Sequence, residues 1–209
     1  MKLLHIIASP RGEKSRTTSI AHEFITELKS KHPDLVVEDL DLFHTNLPTL
    51  NQSVTEAKYM TMAGATLDNS SQTMWDEVTS IATTFAAADI YVISAPMWNF
   101  SVPYKLKHYI DVIMQPGILF KFTASGVEGL AKNKKMICIT SRGSDYSASS
   151  PMNVLDFQEP YLRAIFGFAG IIDVSFVNAQ PLDYTPDLTE MKVNEAKNEA
   201  LSLASAMVV

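Results

Sequence analysis

Three stretches of the chain carry residue types suited to holding an anion and a flat ring. Ser9-Pro-Arg-Gly-Glu-Lys-Ser-Arg-Thr17 follows an apolar run and leads into a helical pattern. The free N–H groups and positive dipole end of that helix face back into the loop. With the hydroxyls of Ser15, Thr17 and Thr18 and the charge of Arg16, they make a setting for a phosphate. Plain N-capping by Ser15 is the competing role. The second stretch is Asp89-Ile-Tyr-Val-Ile-Ser-Ala-Pro-Met-Trp-Asn-Phe-Ser-Val-Pro103. Its β-branched run Ile90–Ile93 suits a strand buried on both faces. Pro96 lacks an N–H and is expected to end that strand. Met97, Trp98, Asn99 and Phe100 then form a loop, and Pro103 suits the first turn of a helix. Aromatics at the carboxyl end of a central strand lie where open α/β sheets take flat ligands; packing under a neighbouring loop is the alternative. The third stretch, Ser141-Arg-Gly-Ser-Asp-Tyr146, offers backbone N–H groups to the rim of a heterocycle, or is simply a surface loop.

These loops need elements to position them. Lys2–Ala8 reads as the first strand, with His5 as a packed or edge histidine within it. The stripe Ile20, Phe24, Ile25, Leu28 marks the first helix. Leu35–Leu42 is the second strand. Residues 43–70 are an excursion with a possible helix over 55–65, and Trp75, Val78, Ile81, Ala82 and Phe85 have helical spacing. After the third strand comes a helix from about Pro103 to Met114, with Leu106, Tyr109, Ile110 and Ile113 inward. Residues 118–129 form a small hairpin or lid, in which Phe120 either meets a bound ring or fixes the loop. Lys135–Thr140 is the fourth strand, Phe157–Phe168 a helix, and Ile171–Val177 the fifth strand. Thr185-Pro186-Asp187 starts a terminal helix running to about Ala206.

Such alternation implies a single α/β domain over residues 1–209: a flavodoxin-like three-layer α/β/α sandwich on a five-stranded parallel sheet of order 2-1-3-4-5. Its switch point brings the 9–18 and 94–100 loops side by side, with the 141–146 loop beyond. One cleft then offers an anion cradle, an aromatic-bearing loop and a polar rim, which are the needs of FMN.

Composition removes several other classes. The net charge, with 17 Lys+Arg against 23 Asp+Glu, is −6, which speaks against nucleic-acid or anionic-membrane partners. One cysteine, Cys138, permits neither an internal disulfide nor a cysteine-based metal site, and a cytoplasmic location is expected. No apolar run approaches the roughly 20 residues of a membrane span, and no metal site is expected. Gly12-Glu-Lys-Ser15 lacks the glycine spacing of a nucleoside-triphosphate loop, and no GxGxxG is present. A phospho-receiver needs acids where Ala8-Ser9 and Ser94-Ala95 stand. A hydrolase using Ser9 or Ser94 lacks G-x-S-x-G, and no histidine has an evident partner.

Together the three loops resemble those of the FMN-dependent NADH azoreductases and their quinone reductase relatives, in order and over essentially the whole chain. The resemblance implies that Ser9, Ser15, Arg16 and Thr17 surround the phosphate and ribityl chain. It implies that Pro96, Met97, Trp98, Asn99 and Phe100 line the isoalloxazine, and that Ser141, Arg142, Gly143 and Ser144 border its other edge. Phe120 and Tyr146 are candidates for substrate contact. Relatives often carry tyrosine where Trp98 stands and a second glycine where Ser144 stands; both departures bear on substrate choice.

The resemblance further implies a homodimer with the site at the interface, NADH or NADPH as donor, and a quinone or azo compound as acceptor in the same space, hence ping-pong kinetics. The chemistry then rests on FMN N5, with no catalytic side chain and with backbone N–H groups of the 97–100 loop near the N1–C2 edge. A non-enzymatic flavodoxin-like electron carrier or flavin-binding regulator is the alternative on the same fold.

Overall fold

The computed structural model describes residues 1–208. The strands are β1 (Lys2–Ile7), β2 (Val36–Asp41), β3 (Ile90–Pro96), β4 (Phe120–Thr123), β5 (Gly126–Gly129), β6 (Lys135–Ser141) and β7 (Asp173–Ala179). The helices are α1 (Arg16–Lys31), α2 (Gln52–Met62), α3 (Asn69–Ala86), α4 (Tyr104–Ile113), α5 (Glu159–Phe168) and α6 (Pro186–Ala206). The main sheet is parallel with order β2-β1-β3-β6-β7, and β4 and β5 form a separate antiparallel hairpin. Leaving the hairpin out of the count, this is the expected order 2-1-3-4-5.

Alternate residues of the central strands feed two cores. Leu4, Ile6, Tyr91, Ile93 and Met136 pack with side chains of α3, α4 and α5. Leu3, Ile90, Val92, Ile137 and Ile139 pack with α1 and α6. Strands buried on both faces must be apolar throughout, which is why β3 reads as a continuous run rather than an alternation. The edge strand β2 is largely exposed and carries Glu38, Asp39 and Asp41, charges that discourage edge-to-edge pairing.

The elements depart from the sequence reading at particular points. Pro96 is the last residue of β3, in register with Ser141, rather than beyond it. The ladder tolerates it because Met97 N donates to Ser141 O immediately afterwards. β7 begins at Asp173, two residues later than expected. The segment 43–70 contains α2, which starts at Gln52 under an Asn51 cap and packs Val54 and Ala57 against Trp75 and Val78 of α3. α5 starts at Glu159 rather than Phe157, because Asp156 Oδ1 accepts from the N–H groups of Gln158 (2.9 Å) and Glu159 (3.0 Å). Among the described residues, no helix is long and apolar enough to cross a membrane.

Cys138 is fully buried in β6. Burial pushes its thiol well above the ordinary range, the carboxylate of Glu159 adding to the shift and Arg163 opposing it. The thiolate is the reactive species. A colorimetric disulfide reagent is therefore expected to leave the folded protein untouched and to titrate one thiol per chain in denaturant; rapid labelling of folded protein would contradict this burial.

Candidate functional site

β1, β3 and β6 end at one level, since Ile7 pairs with Ser94 and Pro96 with Ser141. The loops that follow them enclose a single cleft of about 170 Å³. Ser9, Ser15, Arg16 and Thr17 line it from the first loop, Pro96, Met97 and Trp98 from the second, and Ser141, Arg142 and Gly143 from the third.

The anion cradle is built at the start of α1. Ser15 is buried, and its Oγ accepts from Thr18 N (3.2 Å) and Thr18 Oγ1 (2.9 Å) and lies 3.1 Å from Thr17 Oγ1. Ser15 is thus the N-cap. Its carbonyl takes Ser19 N. The first-turn N–H groups of Arg16 and Thr17 have no intrahelical acceptor, and both residues line the cleft, Arg16 half-buried. Two aligned N–H groups, a guanidinium and the dipole end of a 16-residue helix are a donor set that fits a phosphate.

The second loop is a tight turn. Trp98 and Ser101 exchange both backbone hydrogen bonds, at 2.9 and 3.0 Å. Asn99 (φ 47°) and Phe100 (φ 69°) between them are left-handed, the signature of a primed hairpin turn. An aromatic residue in that conformation is strained, and such strain gathers at ligand sites. The turn carries Asn99 and Phe100 outward to the rim, exposed and outside the cleft wall. It also corrects one expectation: the N–H groups of Met97 and Trp98 are already bonded, to Ser141 O and Ser101 O. Beneath the loop the buried Gln158 donates from Nε2 to Pro96 O (3.0 Å).

Arg142 lines the cleft in a way that sequence did not specify. It borders the cleft, but its guanidinium is not offered to a ligand there. It is buried, with Nη1 2.8 Å from Asp156 Oδ2 and Nε 3.0 Å from Thr140 Oγ1. Its backbone shapes the loop instead: Arg142 N donates to Ala179 O, and Leu182 N donates to the carbonyls of Arg142 and Gly143. Gly143 O also accepts from Asp183 N.

Ser144 lies outside the cleft wall. So does Tyr146, whose ring meets Phe100 edge-on at 6.5 Å. Phe120 is not brought to the cleft; it is buried in the hairpin against Phe122 and Phe168. Four lining residues escaped the sequence reading: Pro10, Arg11, Leu182 and Asp183. The last pair follows the carboxyl end of β7, a position that the general rule for open sheets flags without help from composition. Asp183 sits so close that a Cβ on Gly143 would lie 2.2 Å from its Oδ2, so any larger residue at 143 would push this exposed carboxylate aside.

His5 has two side-chain partners. His5 Nε2 lies 3.0 Å from Ser94 Oγ and its Nδ1 2.9 Å from Asp39 Oδ1, an arrangement like a hydrolytic triad. Ser94 is fully buried and does not line the cleft, so a substrate carbonyl has no route to its Oγ. This removes Ser94 as a hydrolytic nucleophile, and Ser9, which does line the cleft, is not hydrogen-bonded to His5.

Comparison with known proteins places the fold. A family model described as flavodoxin-like fold matches residues 1–204. A relative from Pseudomonas fluorescens named FMN-dependent NADH:quinone oxidoreductase 3 is 38% identical over 209 residues, covering 99% of this chain and 97% of that one. FMN-dependent NADH:quinone oxidoreductase 1 of Trichormus variabilis is 41% identical over 182 residues, covering 87% of this chain and 85% of that one. Among solved structures, an FMN-dependent NADH-azoreductase from Bacillus anthracis in complex with FMN superposes with a TM-score of 0.89 at 27% identity, covering 98% of each chain.

Proposed function

The chain belongs to the flavodoxin-like fold family, and we propose that it is an FMN-dependent NADH oxidoreductase that reduces quinones and aromatic azo compounds. The observation that carries this reading is the convergence of three strand-end loops on one cleft, with the open N–H groups of Arg16 and Thr17 at one end and Met97 and Trp98 at the other. FMN, when bound, supplies the two-electron redox chemistry between NADH and the acceptor. The residues of the chain hold and orient it. Arg16, Thr17 and Ser9 take the phosphate end, with Ser15 holding the helix start in shape. Pro96, Met97 and Trp98 flank the ring, Asn99 and Phe100 form its outer rim, and Ser141, Arg142 and Gly143 form the far edge, Arg142 through its backbone, with Ser144 beyond it.

The site is completed by a second copy of the chain. One chain encloses only about 170 Å³, against roughly 300–1,000 Å³ for ligand pockets in general. Beside the opening, Trp98, Phe43 and Tyr104 form an aromatic cluster, with Trp98 37% and Tyr104 63% exposed. A homodimer covers such a surface and narrows the cleft. The lone buried thiol suits a reducing cytoplasm.

Steady-state kinetics test the reading. NADH oxidation is expected to depend on added quinone and on FMN, with parallel double-reciprocal lines for a donor and an acceptor that share one space. A protein that binds FMN yet turns over no NADH with any acceptor would be a carrier instead. Trp98→Ala is expected to change the KM for acceptors several-fold while leaving the melting temperature within a few degrees; unchanged kinetics for every acceptor would reduce Trp98 to packing.

A further inference from the structure

On the α1 face of the sheet, away from the cleft wall, three metal-competent side chains meet. His5 is on β1, Asp39 is opposite it in register on β2, and His22 stands on the helix above. One ligand atom from each can be chosen so that all lie within 4.8 Å of one another. The two imidazole rings meet edge to face, with centroids 5.7 Å apart. We propose that His5, His22 and Asp39 bind one divalent transition-metal ion of the zinc type.

His5 is the fixed member. It is fully buried, and Nε2 is held 3.0 Å from Ser94 Oγ. Without metal, Nδ1–H donates to Asp39 Oδ1 at 2.9 Å and Nε2 accepts from the Ser94 hydroxyl; a metal would displace the Nδ1 proton, and Nε2–H would then donate to Ser94 Oγ. A second partner that fixes the tautomer is the usual support of a metal-bound histidine. Asp39 and His22 are exposed, the Asp39 side chain 57% so, and both are free to swing. With metal–ligand bonds of about 2.0–2.2 Å, tetrahedral ligand atoms stand roughly 3.4 Å apart. Rotation of these two surface side chains closes the remaining ångström or so.

Two imidazoles and one carboxylate favour Zn²⁺, Co²⁺ or Ni²⁺ over Mg²⁺ and Ca²⁺, which prefer all-oxygen sites. Three protein ligands leave a position for water. The ion would join the exposed edge strand β2 to β1 and α1, so its binding should appear as stabilisation of the folded chain.

The test uses tag-free, FMN-loaded protein freed of metals with a chelator, then titrated with Zn²⁺ by calorimetry and thermal melting. Expected are one Zn²⁺ per chain and a melting temperature that rises with Zn²⁺ and not with Mg²⁺. His22→Ala removes an exposed side chain and should weaken Zn²⁺ binding at least about tenfold, with the flavin absorbance per chain unchanged. Asp39→Asn should weaken it as well. His44→Ala, which breaks the separate surface pair of His44 with Asp41, should leave it intact. No stoichiometric uptake, or equal uptake by wild type and His22→Ala, would overturn the proposal.

Discussion

Arg142→Ala is expected to lower both stability and FMN affinity, the first by about 3–5 kcal/mol. Arg142 and Asp156 form an ion pair at 2.8 Å with side chains only 1% and 7% exposed. Removing the guanidinium leaves the Asp156 carboxylate in a poorly solvated site with its Oδ2 partner gone. That same carboxylate, through Oδ1, caps α5. α5 is preceded by Gln158, which supports the Pro96 carbonyl. The damage therefore travels from the third loop through Asp156 to the second, the two walls that should hold the ring. Urea denaturation with and without FMN reads both effects. In a double-mutant cycle, Arg142→Met with Asp156→Asn should be less destabilised than the sum of the single changes, because the stranded charge is gone while an oxygen remains for the cap. Additive losses, or a loss below about 1 kcal/mol, would mean that the pair is solvated and dispensable.

Gly129→Ala is expected to destabilise by about 3 kcal/mol or more without affecting the cleft. A Cβ at Gly129 would lie 2.3 Å from Gly170 N and 2.4 Å from the Ala169 carbonyl carbon. Both obstacles are backbone, so no side chain can move aside. The neighbouring bonds Ala131 N to Ala169 O and Leu130 N to Leu119 O, each 2.8 Å, resist a shift of the hairpin. Gly170, at φ +99°, is itself in a region open mainly to glycine. For a chain of this size, 3 kcal/mol is roughly 6–12 °C in melting temperature. The contact lies near the start of β6 and β7, where Lys135 pairs with Asp173, at the end of the sheet opposite the cleft. FMN affinity of the folded variant should therefore match wild type, in contrast to Arg142→Ala. A fall in affinity with unchanged stability would contradict this placement.

The contrast between these sites shows what could be read from sequence. Ile90–Ile93 declared a buried strand, and the Ser15 cap followed by the Ile20, Phe24, Leu28 stripe declared α1, because these signals are local. Local signals order the strands and therefore place three loops at one cleft. The ion pair of Arg142 was not legible because its partner, Asp156, sits 14 residues on, and only the fold brings them together. The same holds for His5, whose partners Asp39 and Ser94 are 34 and 89 residues away. The turn at Asn99 and Phe100 hid for another reason: Phe100 is a poor residue for positive φ, so propensity pointed away from the conformation it adopts. Asp183 lies in a loop with no pattern of its own and was reachable only through the position of β7.

The most direct test of the central claim is the absorbance spectrum of the purified protein supplied with FMN and then, without oxygen, with NADH. Expected are one tightly held FMN per chain and a band near 450 nm (to about 10 nm) that bleaches on adding NADH and returns on adding a quinone. Arg16→Ala should hold the flavin at least about tenfold more weakly, through loss of a charge-assisted contact to phosphate. A protein that remains colourless after incubation with FMN and oxidises no NADH in its presence would contradict the account.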